Sequence, residues 1–290
     1  MKKTIILIGF LVGFFISCTD SDDIKGDIES LTPDYNLPQG KSPADSRIVE
    51  FYQQSGSYIL YEYTELDIKY GFKSSGFSYT LADPQYAGNM LDLLDDIWFD
   101  FCPQNFLKEY APLKIFLADT LGVFEYDEFV RDFAYVETNC IAVSYCSDTL
   151  LSLPPKTKLE FKNNLQKQLW LNWINVLDMP EEFFEVSSYS TKANTTDKTS
   201  NEYARKRGFI MDYSQSRPRE WSNRVDNNTK KLDSHTDLKS FLIGMVIRTS
   251  DQWTSDLAYP LVKEKYDIIH NWFLEKYHID LQKIGDASYE

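Results

Sequence analysis

Between Pro154-Pro155 and Met179-Pro180 the chain carries Phe161, Leu165, Leu169, Trp170, Trp173, Ile174 and Leu177, apolar residues recurring at helical steps. That recurrence predicts one long helix with a buried stripe along one side. Thr157 is placed to cap its start, and Met179-Pro180 stops it after about Leu177. A stripe of this breadth calls for a substantial core, and the composition supplies one. The chain is 43% hydrophobic and 15% aromatic, far too apolar for disorder. About 250 ordered residues can bury roughly 70–75% of their unfolded surface.

Other elements follow from the same patterning. Asp45 is a candidate cap for a short helix with Ile48, Val49, Phe51 and Tyr52 on its apolar face. Ser57 to Tyr63, Leu113 to Ala118 and Cys140 to Tyr145 are β-prone runs. Asp83-Pro84 opens a helix to about Phe101, with Met90, Leu91, Leu94, Ile97 and Trp98 buried. Asp92, Asp95, Asp96 and Asp100 fall mostly opposite, a solvated face rather than a metal site. Ser187 to Asn201 is polar and reads as a mobile loop. Helices are predicted over Glu202–Arg207, Leu238–Arg248 and Leu261–His278. The expected fold class is α+β: one mostly helical domain over residues 44–290 with a small sheet.

The amino terminus reads as an address. Met1-Lys2-Lys3 precedes an uncharged, mostly apolar stretch from Thr4 to Ser17, which ends at Cys18. Such a stretch is too short to span a hydrocarbon core of roughly 30 Å, so residues 1–17 are expected to be a signal peptide. Phe15-Ile16-Ser17 before Cys18 resembles a lipobox, which implies lipid attachment at Cys18. Two or three acyl chains, at about 0.8 kcal/mol per buried CH2, anchor a protein stably. Thr19-Asp20-Ser21-Asp22-Asp23 then resembles the acidic signal that sends lipoproteins of Bacteroidota to the outer face of the outer membrane. The expected location is therefore the outer membrane, lipid-anchored and facing outward, with residues 18–43 as a lipidated flexible spacer.

Charge excludes some partners. Omitting Lys2 and Lys3 of the leader takes 30 basic residues to 28 against 44 acids, or −16. Nucleic-acid binding depends on Lys and Arg, so no nucleic-acid partner is expected. The same excess disfavours a polybasic grip on lipid headgroups. Cys102, Cys140 and Cys146 have no zinc-ribbon spacing. On a strand, Cys140 and Cys146 would lie roughly 20 Å apart, too far for a disulfide, which leaves buried free thiols as the expectation. His270 and His278 sit eight residues apart on the last predicted helix, roughly 12 Å, too far to share a metal. His235 falls in a polar stretch. No P-loop, GxGxxG, GxSxG or CxxC occurs.

Three segments carry a family resemblance. One is Leu91-Asp92-Leu93-Leu94-Asp95-Asp96-Ile97-Trp98 followed by Phe106-Leu107-Lys108-Glu109-Tyr110-Ala111-Pro112 and Lys114-Ile115-Phe116-Leu117. The second is Glu202-Tyr203-Ala204-Arg205-Lys206-Arg207-Gly208-Phe209-Ile210, and the third runs from Asn271-Trp272-Phe273 through His278-Ile279-Asp280-Leu281. Together they resemble a family of Bacteroidota surface lipoproteins described as zinc-binding metallopeptidases. The resemblance implies a zincin-like architecture whose long central helix carries HExxH. There two histidines one turn apart hold zinc, and the Glu activates its water.

This chain departs from that pattern. Matching apolar positions puts the motif over Lys167, Gln168 and Leu171, in a register that can slip by one turn. The family's downstream acidic ligand falls at Asn223. A protonated Lys has no lone pair for zinc, Leu has no donor, and Gln cannot take a proton from water. The expectation is a metallopeptidase-like protein without a metal or other cofactor, its cleft a vestige lined by Lys167, Gln168, Leu171 and Asn223. It is expected to be non-catalytic and to bind a peptide, protein or glycan, with Asn172, Trp170 and Trp221 as further candidate contacts. The alternatives are a hydrolase with an unrecognised carboxylate site and an assembly subunit of an outer-membrane complex.

Overall fold

A computed structural model describes residues 35–72 and 77–290. Cys18, the signal peptide and the acidic segment lie outside the described residues.

The elements in chain order are α1 (Asp45–Ser55), β1 (Tyr58–Leu60), α2 (Glu65–Gly71), β2 (Ser78–Leu81), α3 (Ala87–Ile97) and α4 (Gln104–Tyr110). Then come β3 (Lys114–Glu125), β4 (Glu128–Arg131), β5 (Ala134–Val136), β6 (Cys140–Val143), α5 (Pro155–Trp173) and α6 (Glu182–Glu185). The chain closes with α7 (Ser234–Ile247), α8 (Ser250–Leu257), α9 (Pro260–Tyr277) and α10 (Leu281–Asp286). This is a mixed α+β domain, helices in the majority.

Strand order is β1-β3-β6-β5, with β1 and β6 parallel to β3 and β5 antiparallel at the edge. The far half of β3 pairs antiparallel with both β2 and β4. Alternation decides the sheet's two faces. Ile59, Ile115, Leu117, Ile141 and Val143 join the main core with α3, α5, α7 and α9. Phe116 points the other way, against Tyr63 and Phe72.

The long helix α5 begins at Pro155, with Pro154 in the cap position, so Thr157 lies inside the first turn and caps nothing. Proline at the first position costs nothing, because that N–H has no helical partner. The predicted stripe is buried, but α5 is enclosed beyond it. Lys162 Nζ donates to Val246 O at 3.2 Å and Ile284 O at 2.8 Å, the carboxy ends of α7 and α10. Gln166 Nε2 donates to Ile97 O at 2.7 Å and its Oε1 accepts from Trp170 Nε1 at 3.1 Å. Burial lowers the Lys162 amine to about 8.

Other expectations are corrected locally. Asp45 does not cap α1, since its carboxylate accepts instead from Gly40 N at 2.8 Å and Tyr61 OH at 2.7 Å. Glu202–Arg207 contributes only a 3-10 turn over Arg205–Arg207. Residues 187–201 are irregular, and Arg207 gathers the Ser188, Thr191 and Lys192 carbonyls. The compact unit begins at Asn36, eight residues earlier than the predicted domain start. Gln39 Oε1 accepts from Tyr61 N at 3.0 Å and Lys41 N donates to Tyr61 OH at 3.0 Å, which fixes residues 39–41 of the expected spacer on the domain.

Candidate functional site

The edge strand β5 lies beside α5, and its outward backbone groups are set by its ladder with β6. Ser144 N donates to Phe133 O and Glu137 N to Cys140 O, so the even residues Ala134 and Val136 point away from the sheet. Gln168 meets them. Its Oε1 accepts from Val136 N at 3.1 Å and its Nε2 donates to Ala134 O at 2.7 Å. One side-chain amide thus imitates the peptide group of a neighbouring strand. Asn172 Nδ2 adds a bond to Val136 O at 3.2 Å. Gln168 and Asn172, expected to line a vacant cleft, spend their amides on sealing a sheet edge.

A cleft of about 410 Å³ opens next to this seal, lined by Asn163, Asn164, Lys167, Gln168, Tyr213, Gln215, Ser216, Pro218 and Ile247. Asn163 and Lys167 are one turn apart and both line it, as does Gln168. Asn163 Oδ1 is buried with no hydrogen-bond partner. Lys167 Nζ donates to Gln215 O. Burial depresses the Lys167 amine and Asp212 partly restores it. Asp212 itself is folded back onto Ser214 N at 3.0 Å and Gln215 Nε2 at 3.0 Å. Sequence reasoning missed Asn163, Asn164, Tyr213, Gln215 and Ser216; the i, i+4 spacing of Asn163 and Lys167 was the available signal.

The remaining predicted site residues lie elsewhere. Leu171 packs half-buried against the main core. Asn223 joins the wall of a small separate core of Ala193, Ala204, Phe209, Trp221 and Leu232. Its Oδ1 accepts from Ala193 N at 2.8 Å and its Nδ2 donates to Ala193 O at 2.8 Å. Trp170 and Trp221 are buried, with Trp221 stacked on Phe209 at 4.5 Å. Neither offers a face to a sugar.

The residues present do not fit zinc. At the cleft-facing helix positions stand amides and an ammonium, and the amide of Gln168 is committed at both ends. Among the described residues no group of three His, Cys, Asp or Glu could hold a metal ion. His270 pairs with Asp280 at 3.1 Å, away from the cleft, and His235 is exposed in the first turn of α7. Carboxylates fare no better as a hydrolytic pair. Asp95 and Asp100 share a pocket of about 220 Å³ near α1, but Arg47 holds Asp95 at 3.1 Å. Cys102, Cys140 and Cys146 are buried and not joined to one another, and burial pushes Cys140 and Cys146 up to about 12. Such thiols are not nucleophiles at neutral pH. No described helix is long and apolar enough to cross a membrane.

A solved structure described as "a putative zinc-binding metallo-peptidase from Bacteroides caccae" is similar at 11% identity, covering 83% of this chain and 87% of that one with a TM-score of 0.49. No curated protein matches. A family model described as "Putative zinc-binding metallo-peptidase" matches residues 57–282. With amides and a lysine on the cleft face of its central helix, the chain belongs to that family.

Proposed function

We propose that this chain is a lipid-anchored, non-hydrolytic member of its family that holds a segment of polypeptide in the cleft beside α5. The observation that carries the reading is the set of side chains that α5 presents to the cleft, Asn163, Asn164 and Lys167, beside the committed amide of Gln168. None can activate water as a general base at neutral pH, and an ammonium repels a divalent cation. Amides and an ammonium do match the donors and acceptors of a peptide backbone and its carboxylates. The unpaired Asn163 Oδ1 supports the same ligand, because a buried acceptor without a donor costs about 1–3 kcal/mol until one arrives. A glycan is the weaker reading, since five of the six tryptophans are buried. The lipobox ending at Cys18 and the acids after it support an outer-membrane position facing the exterior.

The test is metal content and turnover of the purified chain, measured together. Sub-stoichiometric zinc, no cleavage of casein, and peptide binding weakened at least tenfold by Asn163→Leu are expected. Stoichiometric zinc accompanied by turnover would falsify the reading.

A further inference from the structure

The outer edge of the sheet continues from β5 into β4, and there no strand among the described residues closes it. Asp132 N donates to Leu121 O, and the register pairs Val130 with Val123 and Glu128 with Glu125. By the alternation of an antiparallel ladder, the N–H and C=O groups of Phe129 and Arg131 therefore point away from β3. Among the described residues β4 pairs with β3 alone. An open edge is a template for one more strand.

The side chains around that edge are unusual for a solvated hairpin. Phe124 is 64% exposed, Tyr126 fully exposed, Phe129 39% and Val130 41%, four of the ten most exposed large apolar residues described. The rings of Phe124 and Phe129 meet at a tilt, 5.4 Å apart. The tip is held in a demanding conformation as well. Tyr126 and Asp127 both have left-handed backbones, at φ 50 and 68. A two-residue hairpin turn favours Asn-Gly at such positions, and a bulky residue there is strained. Here the strain presents an aromatic ring to solvent. Gly122 lets the hairpin close, since a Cβ there would meet Val130 O at 2.1 Å.

Charge selects the occupant. Glu125, Asp127 and Glu128 interleave with these rings, and none forms an ion pair among the described residues. Three uncompensated carboxylates repel an anionic bilayer, and they repel a second copy of the same tip. They attract lysine and arginine.

We propose that β4 and the β3–β4 tip form a docking strip for an extended segment of a partner protein, basic and apolar in alternation, which adds to the sheet beside β4. Backbone bonds to Phe129 and Arg131 supply the pairing, the exposed rings take the apolar residues, and Glu125, Asp127 and Glu128 take the cations. The strip is separate from the cleft and does not depend on what the cleft binds.

The test titrates the full chain in detergent with two labelled, blocked octapeptides, one alternating Lys with Val and Phe, the other alternating Glu with the same residues. Binding is followed by anisotropy and by hydrogen exchange over residues 128–132. The basic peptide should bind at least tenfold more tightly and slow exchange at the Phe129 and Arg131 amides. Reversing the tip with Glu125→Lys, Asp127→Lys and Glu128→Lys together should invert the preference while leaving the circular dichroism unchanged. Equal affinity for both peptides overturns the proposal, as does protection that falls on Asn163–Lys167 instead. Concentration-dependent dimerisation that protects residues 128–132 without peptide, or capture by phosphatidylglycerol vesicles that Tyr126→Ser abolishes, would assign the strip to another occupant and overturn it equally.

Discussion

One sheet edge is treated in two opposite ways along nine residues. Over β5 the outward backbone is met by Gln168 and Asn172; over β4 it faces solvent between aromatic rings and carboxylates. The hydrogen-bonding chemistry of the two stretches is identical, so what distinguishes them is the helix beside one and, among the described residues, no paired strand beyond the other. An edge beside a packed helix must be satisfied from within, because water cannot reach it freely. An edge on a projecting hairpin can wait for an external strand. The difference locates recognition on the arm and rigidity beside the cleft.

The largest effect is expected at the seal. Gln168→Leu leaves Ala134 O and Val136 N without partners and should cost about 2–3 kcal/mol in urea unfolding, with faster exchange at the Val136 amide. No loss of stability would mean that β5 is not sealed by this side chain. The seal holds only if α5 is itself held, and Lys162 ties that helix to α7 and α10. Burial lowers the Lys162 amine in the folded chain to about 8 from an ordinary lysine value, so between those limits the unfolded chain binds more protons. Stability from this residue therefore rises with pH across that window. Relative to Lys162→Met, the wild type should gain about 2 kcal/mol between pH 7.5 and 10, and a gap that stays flat refutes the assignment. The comparison with the mutant cancels the buried thiols and tyrosines, which titrate in both.

Asn172→Leu removes one bond to Val136 O and should cost about 1 kcal/mol in the same assay. On the open half the sign reverses. Tyr126→Asn relieves a left-handed strain and should stabilise by about 0.5 kcal/mol, raising the melting temperature while weakening capture of the basic peptide. The triple charge reversal at Glu125, Asp127 and Glu128 should move stability by less than about 0.5 kcal/mol, because these side chains touch no core.

The halves were unequally legible in the sequence. The stripe of α5, the buried face of α3 and most of α9 follow from apolar spacing. Family membership was readable from segments spread over the domain. Strands β4 and β5 were not, since three or four residues carry too little periodicity and their pairing is made by distant β3 and β6. Without β5 the task of Gln168 is invisible, and the residue looks like a remnant of HExxH. Lys162 and Gln166 were hidden because their partners are carbonyls of other elements, which no side-chain pattern encodes. Asn223 was misplaced for a related reason: its left-handed backbone, at φ 52, turns the amide onto Ala193 in the smaller core.

Cys102, Cys140 and Cys146 are all enclosed, and no two of them are joined to each other. The fold therefore carries no covalent staple among its described residues, and dithiothreitol should neither loosen nor tighten it. Its endurance rests on packing and on internal bonds such as the Gln168 seal and the Lys162 tie.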